Sequence, residues 1–192
     1  MCNKPTSRYN LLDKLHDEEL TKKHHRTFKF LRMYDEKDPI SLVECMSNQL
    51  MELDHTRKSL KTFREYLQEH DVLQEFAIQE RDNGLEAIWG ALNQTFDEMD
   101  LYPSLEEKAA HLLYMVIKRH PFKDGNKRSA AFLLIKFLDY NKEYNEYVSD
   151  LDDVLLACMV LLIAQSVPEQ KDDVIWTIRQ ILSTRTTNFL HF

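Results

Sequence analysis

Glycine and proline are scarce in this chain, three and five among 192 residues. A sheet-rich fold needs turn residues far more often, so the scarcity argues for long helices joined by short loops. Cysteine is also sparse. Cys2, Cys45 and Cys158 are odd in number and share no metal-ligand spacing. With no signal-like N-terminus they read as reduced thiols of a cytoplasmic protein. Long apolar runs are missing as well. The longest, Val154–Ala164, has eleven residues between Asp152-Asp153 and Gln165-Ser166. It is too short to cross a bilayer and suits a buried helix, so no membrane partner is expected. A positive excess is absent too: the formal charge is −7, which excludes a general nucleic-acid binder. The basic run Lys22-Lys23-His24-His25-Arg26, followed by Lys29 and Arg32, reads as a solvated helix face.

What is present is the composition of a folded protein, 43% apolar and 30% charged, long enough for one domain with a sizeable core. Asp13 to about Met33 is helix-prone with a weak apolar stripe (Leu15, Leu20, Phe28, Leu31), broken by Asp38-Pro39. From Ser41 to Gln68 the stripe Leu42, Met46, Leu50, Leu53, Leu60, Phe63, Leu67 predicts one long amphipathic helix. Val72–Arg81 loses that period and, with Asp82-Asn83-Gly84 as turn chemistry, suits a short two-stranded flap. Leu85, Ile88, Leu92, Phe96 and Met99 return to helical spacing. Ser104 with Glu107 fits a capping box opening a helix through Leu105, Ala109, Leu112, Leu113, Val116 and Ile117. Further helices are expected over Lys127–Tyr140, from Ser149–Asp152 to Gln165, and over Glu169–Leu182. The expected fold is all-α, with about seven or eight helices and a short hairpin before the core helices. Residues 1–70 are expected as a helical extension packed on a core of residues 71–192, in one compact domain.

The chemistry concentrates in His120–Arg128, HPFKDGNKR. Pro121 disfavours helical geometry in the residue before it, so His120 sits at a helix exit. Phe122 is the one large apolar side chain of a polar loop and anchors it. Gly125 permits close backbone approach, and a new helix begins near Asn126-Lys127. The first amides of that helix lack intrahelical acceptors and carry the positive end of its dipole, which makes an anion site. Lys127 and Arg128 add cations that oppose the dipole unless an anion binds between them. Asp124 can hold Mg²⁺ while phosphates complete the shell. His120 can accept a proton near neutral pH. Singly, each residue has a bland reading: a terminal histidine, a turn aspartate, a solvated cation pair. Together on nine residues they suit phosphoryl or nucleotidyl transfer.

HPFKDGNKR resembles the signature of the Fic/Doc family, and the flanks Leu101–Ser104, Glu107–Ala110 and Ala130–Leu138 extend the resemblance over roughly residues 76–165. The N-terminal third contributes nothing to it. The resemblance implies ATP as nucleotide co-substrate and a target protein modified at a Ser, Thr or Tyr hydroxyl. It makes His120 the general base, Phe122 the loop anchor and Asp124 the Mg²⁺ ligand. Gly125, Asn126, Lys127 and Arg128 become the phosphate cradle. Phe76–Ala87 corresponds to the family's target-docking flap, with Phe76, Ile78, Asn83 and Gly84 as its docking residues.

Two departures bear on the reaction. Lys127 stands where AMP-transferring members have Gly, and Ala131 stands where they have a second arginine. Both features resemble the Doc branch, toxins that phosphorylate a protein, while AMP transfer is the alternative. The family's self-inhibitory pattern, Ser/Thr-x-x-x-Glu, occurs nowhere in the chain. A separate antitoxin is therefore the expected control, and a homo-oligomer is allowed. A rival of another class is a non-catalytic Fic-fold interaction module, against which the intact His120, Asp124 and Arg128 speak. No P-loop is present, and His111 and His24-His25 read as packing or surface residues.

Overall fold

A computed structural model describes residues 11–36, 48–70, 79–141 and 151–186. Its described part is helical apart from one small hairpin: α1 (Leu11–Lys23), α2 (His25–Glu36), α3 (Leu53–Glu69), α4 (Gly84–Leu92), β1 (Thr95–Phe96), β2 (Met99–Asp100), α5 (Leu105–Arg119), α6 (Asn126–Tyr140), α7 (Asp153–Gln165) and α8 (Lys171–Thr186). A 3-10 turn at Pro168–Gln170 precedes α8. The contacts group the chain into two units, Met1–Ser41 and Leu42–Phe192. The first contains α1 and α2. Lys22, Lys23, His24, His25, Lys29 and Arg32 there are all exposed, as the basic run leads one to expect.

The second unit is built around α5. It packs against α4, α6, α7 and α8. Leu105, Ala109, Leu112, Leu113, Val116 and Ile117 are all buried in it. The neighbours supply one apolar face each: Leu85, Ile88 and Leu92 from α4, Leu133, Leu134 and Phe137 from α6, Met159 and Ile163 from α7, Val174 and Ile178 from α8. From α3, Leu60 joins the core and Phe63 stacks on Phe132, ring centroids 4.3 Å apart.

Helix starts follow local chemistry. The Ser104 hydroxyl accepts from the Glu107 N–H at 3.1 Å, and the Asp152 carboxylate from the Leu155 N–H at 2.9 Å. The Glu107 carboxylate pairs with Arg179 of α8 at 3.2 Å, so it ties two helices together rather than bonding back to the Ser104 N–H.

Three expectations change. The helix expected from Ser41 begins only at Leu53; residues 41–47 lie outside the described ones. Residues 48–52 are not helical, because other parts of the chain take their polar groups. Asn48 donates to the Tyr102 and Pro103 carbonyls, the Asn141 side chain bonds both the N–H and C=O of Gln49, and the Trp89 indole donates to Met51 O. The helix expected through Phe96 and Met99 ends at Leu92. Those two residues instead face each other across the hairpin β1–β2, where they are exposed. Asp97 and Glu98 form its two-residue turn with positive φ, the geometry that matches the twist of paired strands. The described hairpin lies at Thr95–Asp100, and residues 72–78 of the expected flap lie outside the described ones. Finally, α7 is not enclosed. It buries Leu156, Met159, Val160 and Ile163, while Val154, Leu161 and Leu162 are exposed.

Candidate active site

The loop between α5 and α6 starts from a backbone constraint. Pro121 forbids continuation of α5, and His120 leaves it in the left-handed region, φ 51° and ψ 59°, with its side chain exposed. Such a conformation is uncommon for a residue with a Cβ and persists where its surroundings hold it. Pro121 and Phe122 are buried immediately after it. Phe122, 1% exposed, is the apolar plug of the loop.

Asn126 fastens the plug. Its side-chain oxygen accepts from the Phe122 N–H and its amide donates to the Phe122 carbonyl, both at 2.9 Å. The Asn126 side chain is therefore committed to loop architecture. What it offers an anion is its backbone N–H, at the first helical position. Gly125, at φ 74°, makes the turn into α6 in a region where a side chain is disfavoured. The Gly125 N–H donates to Asp124 Oδ1 at 2.6 Å, and Arg128 Nη2 lies 4.0 Å from Asp124 Oδ2. Asp124 and Lys127 are exposed and Arg128 is half-buried. Two cations thus occupy the first turn of α6, with Asp124 one residue before its cap. A single carboxylate suits Mg²⁺ when phosphate oxygens supply further ligands. No group of three or more potential ligands occurs among the described residues.

The expected docking residues divide. Phe76 and Ile78 lie outside the described residues. Asn83, at φ 58°, caps α4, and Gly84 opens it. A Cβ on Gly84 would come within 2.8 Å of Pro121 Cα and Cβ, so glycine allows α4 to touch the loop. Just before them, Gln79–Arg81 pairs antiparallel with the loop itself: Arg81 N–H donates to Pro121 O at 2.8 Å and Lys123 N–H to Gln79 O at 2.9 Å. Arg57 and Glu80, which hold this strand, escaped the sequence reading. No local pattern marks them, because they pair across 23 residues.

Two other features stand apart from the motif. The open groove between α1 and α2 is lined by Asp17, Leu20, Thr21, His24, Thr27 and Phe28, none of them a motif residue. His111 lies against Tyr102, centroids 4.1 Å apart and rings tilted by 35°, and its pKa is held down to about 4, by burial first and then by Lys171 and Arg179. It packs within the bundle.

No described helix is long and apolar enough to cross a membrane. No curated protein and no solved structure matches the chain. A comparison with protein families matches residues 14–138 to the Fic/DOC family. That span includes the N-terminal third, where the sequence by itself offered no resemblance, and ends within α6, past the loop. With the loop seated at the α5–α6 junction and most of the chain matched, the protein belongs to the Fic/DOC family, a family of transferases.

Proposed function

We propose that the chain transfers the γ-phosphate of ATP to a hydroxyl of a protein target, with Mg²⁺, as a Doc-like toxin. The observation carrying this reading is the joining of an exposed imidazole at a helix exit to a cationic helix N-terminus through one pinned loop. In the proposed reaction the target's Ser, Thr or Tyr oxygen attacks the γ-phosphorus, its proton passes to His120, and ADP leaves. Amides at the start of α6, with Lys127 and Arg128, bind the phosphate oxygens. Asp124 would hold Mg²⁺, whose chemistry when bound is to neutralise charge on those oxygens.

Support for γ rather than α transfer comes from Lys127 and Ala131. Lys127 is exposed in the first turn of α6, so a long cation stands where a glycine would leave the backbone open. Ala131, half-buried one turn on, cannot bind phosphate as a second arginine would. The absence of Ser/Thr-x-x-x-Glu removes the other half of the family's internal lock and favours a separate antitoxin chain as the partner.

ATP labelled at either the α or the γ position, incubated with the protein and a cell lysate, tests the reading. Wild type is expected to transfer γ label to protein, and Lys127→Gly to lose that activity or shift toward α label. Transfer of α label alone by wild type makes the reaction AMP transfer. Transfer of neither label by folded protein leaves the non-catalytic module.

A further inference from the structure

Glu80 lies outside the motif but is the best-tethered carboxylate beside it. It accepts from Arg57 Nε at 2.9 Å and Nη2 at 3.2 Å, and from the Leu85 N–H at 3.0 Å. The first two bonds form a planar fork that fixes it to α3. The third satisfies an amide at the start of α4, where a carboxylate is also favoured by the helix dipole. One side chain is thus held by two core helices at once.

Its backbone neighbours carry that fixity into the loop. Gln79 and Arg81 bond Lys123 and Pro121, the residues on either side of Phe122, while the Asn126 side chain bonds Phe122 itself. Arg81 Nη2 adds a bond of 3.4 Å to Lys123 O. The loop is therefore gripped by Gln79–Arg81 and by Asn126. Upstream of the grip sits His120 in its left-handed conformation. The Asn126 clamp is internal to the motif; the Gln79–Arg81 clamp is anchored by Glu80.

We propose that Glu80 is a positioning residue: it transmits the placement of α3 and α4, through the Gln79–Arg81 strand, to the motif loop and so to His120. The consequence for rate rests on the transferase reading above, whereas the coupling to the loop is measurable without activity. A purely structural role is the competing explanation. The Arg57–Glu80 pair is partly exposed, with side chains 36% and 22% accessible, and such pairs contribute little to stability. A displacement of about 1 Å at a reacting group, by contrast, costs on the order of 100-fold in rate.

The experiment uses the full chain and compares Glu80→Ala and Glu80→Gln with Arg179→Ala. The last breaks the Arg179–Glu107 pair at the opposite end of α5 and serves as a control for stability alone. Site-resolved amide hydrogen exchange should show the Lys123 N–H exchanging about tenfold faster in Glu80→Ala, as expected for local opening. In Arg179→Ala it should stay as in wild type. Transfer kcat should fall on the order of 100-fold in Glu80→Ala, with the ATP KM within about twofold. Glu80→Gln keeps an acceptor for Leu85 but loses the charge facing Arg57, and should lie between. Where Glu80→Ala fails to fold, Glu80→Gln and Arg57→Lys give the same comparison. Unchanged Lys123 exchange in a folded Glu80 variant overturns the proposal. So does a kcat loss equalled by Arg179→Ala at the same melting midpoint. If wild type transfers nothing from ATP, the transferase reading fails, and Lys123 exchange still decides the coupling.

Discussion

His120 combines two demands that separate mutants can pull apart. Its imidazole is exposed at the end of α5, and its backbone stands in the left-handed region. His120→Ala removes the proposed base but keeps a Cβ in that region, whereas His120→Gly removes both base and strain. We predict that transfer falls on the order of 10²–10⁴-fold in both variants. Calorimetric ATP affinity should change little in either. The glycine variant should also be more stable than the alanine one by about 1 kcal/mol, read from denaturant unfolding. Retained activity in either variant removes His120 from the mechanism. Equal stability of the two would mean that the left-handed backbone costs nothing there.

At the scale of elements, α6 brings the proposed phosphate-binding groups together and α5 supplies the frame. Arg128 is half-buried within reach of Asp124, so its guanidinium is partly ordered before any ligand arrives. Arg128→Ala is predicted to weaken ATP binding by roughly 1.5–3 kcal/mol for each charge-assisted bond lost. Unchanged affinity in a folded variant would locate the phosphates elsewhere. Both helices were legible in the sequence because their signals are local: the Ser104 cap, the apolar periods, the proline break and the glycine before Asn126. The elements that were misread depend on distant partners. Residues 48–52 follow a helical stripe, yet Asn141, Tyr102, Pro103 and Trp89 hold them in another conformation. Phe96 and Met99 keep helical spacing from Leu92, but a two-residue turn at Asp97-Glu98 pairs them across a hairpin. The loop's own clamp, Asn126 on Phe122, spans four residues and shows as part of the motif, whereas the Glu80 clamp joins segments 42 residues apart and shows nowhere.

For the molecule as a whole, the half-buried histidine of α5 sets an acid limit on stability. His111 is half-buried against Tyr102, and its Nδ1 makes no hydrogen bond to described groups. Burial, then the charges of Lys171 and Arg179, hold its pKa at about 4 against an ordinary 6.5; Asp172 only partly opposes them. The unfolded chain therefore takes up a proton on this residue at a higher pH than the folded one does. Its contribution is complete above about pH 6.5, declines as pH falls, and is spent below about pH 4. The cost across that window is on the order of 2 kcal/mol, less than the full displacement would give because the ring retains some solvent contact. Carboxylates titrate at the lower edge of the same window, so wild type alone cannot assign the loss. His111→Phe keeps a ring for Tyr102 to pack against and cannot charge. Urea unfolding of both proteins at intervals from pH 7 to pH 4 isolates the histidine. We predict that the stability difference, wild type minus variant, falls steadily across that range, with most of the change between pH 6.5 and 4.5. A difference independent of pH would mean that His111 titrates alike in folded and unfolded chains and that the α5–α8 packing leaves it accessible to water.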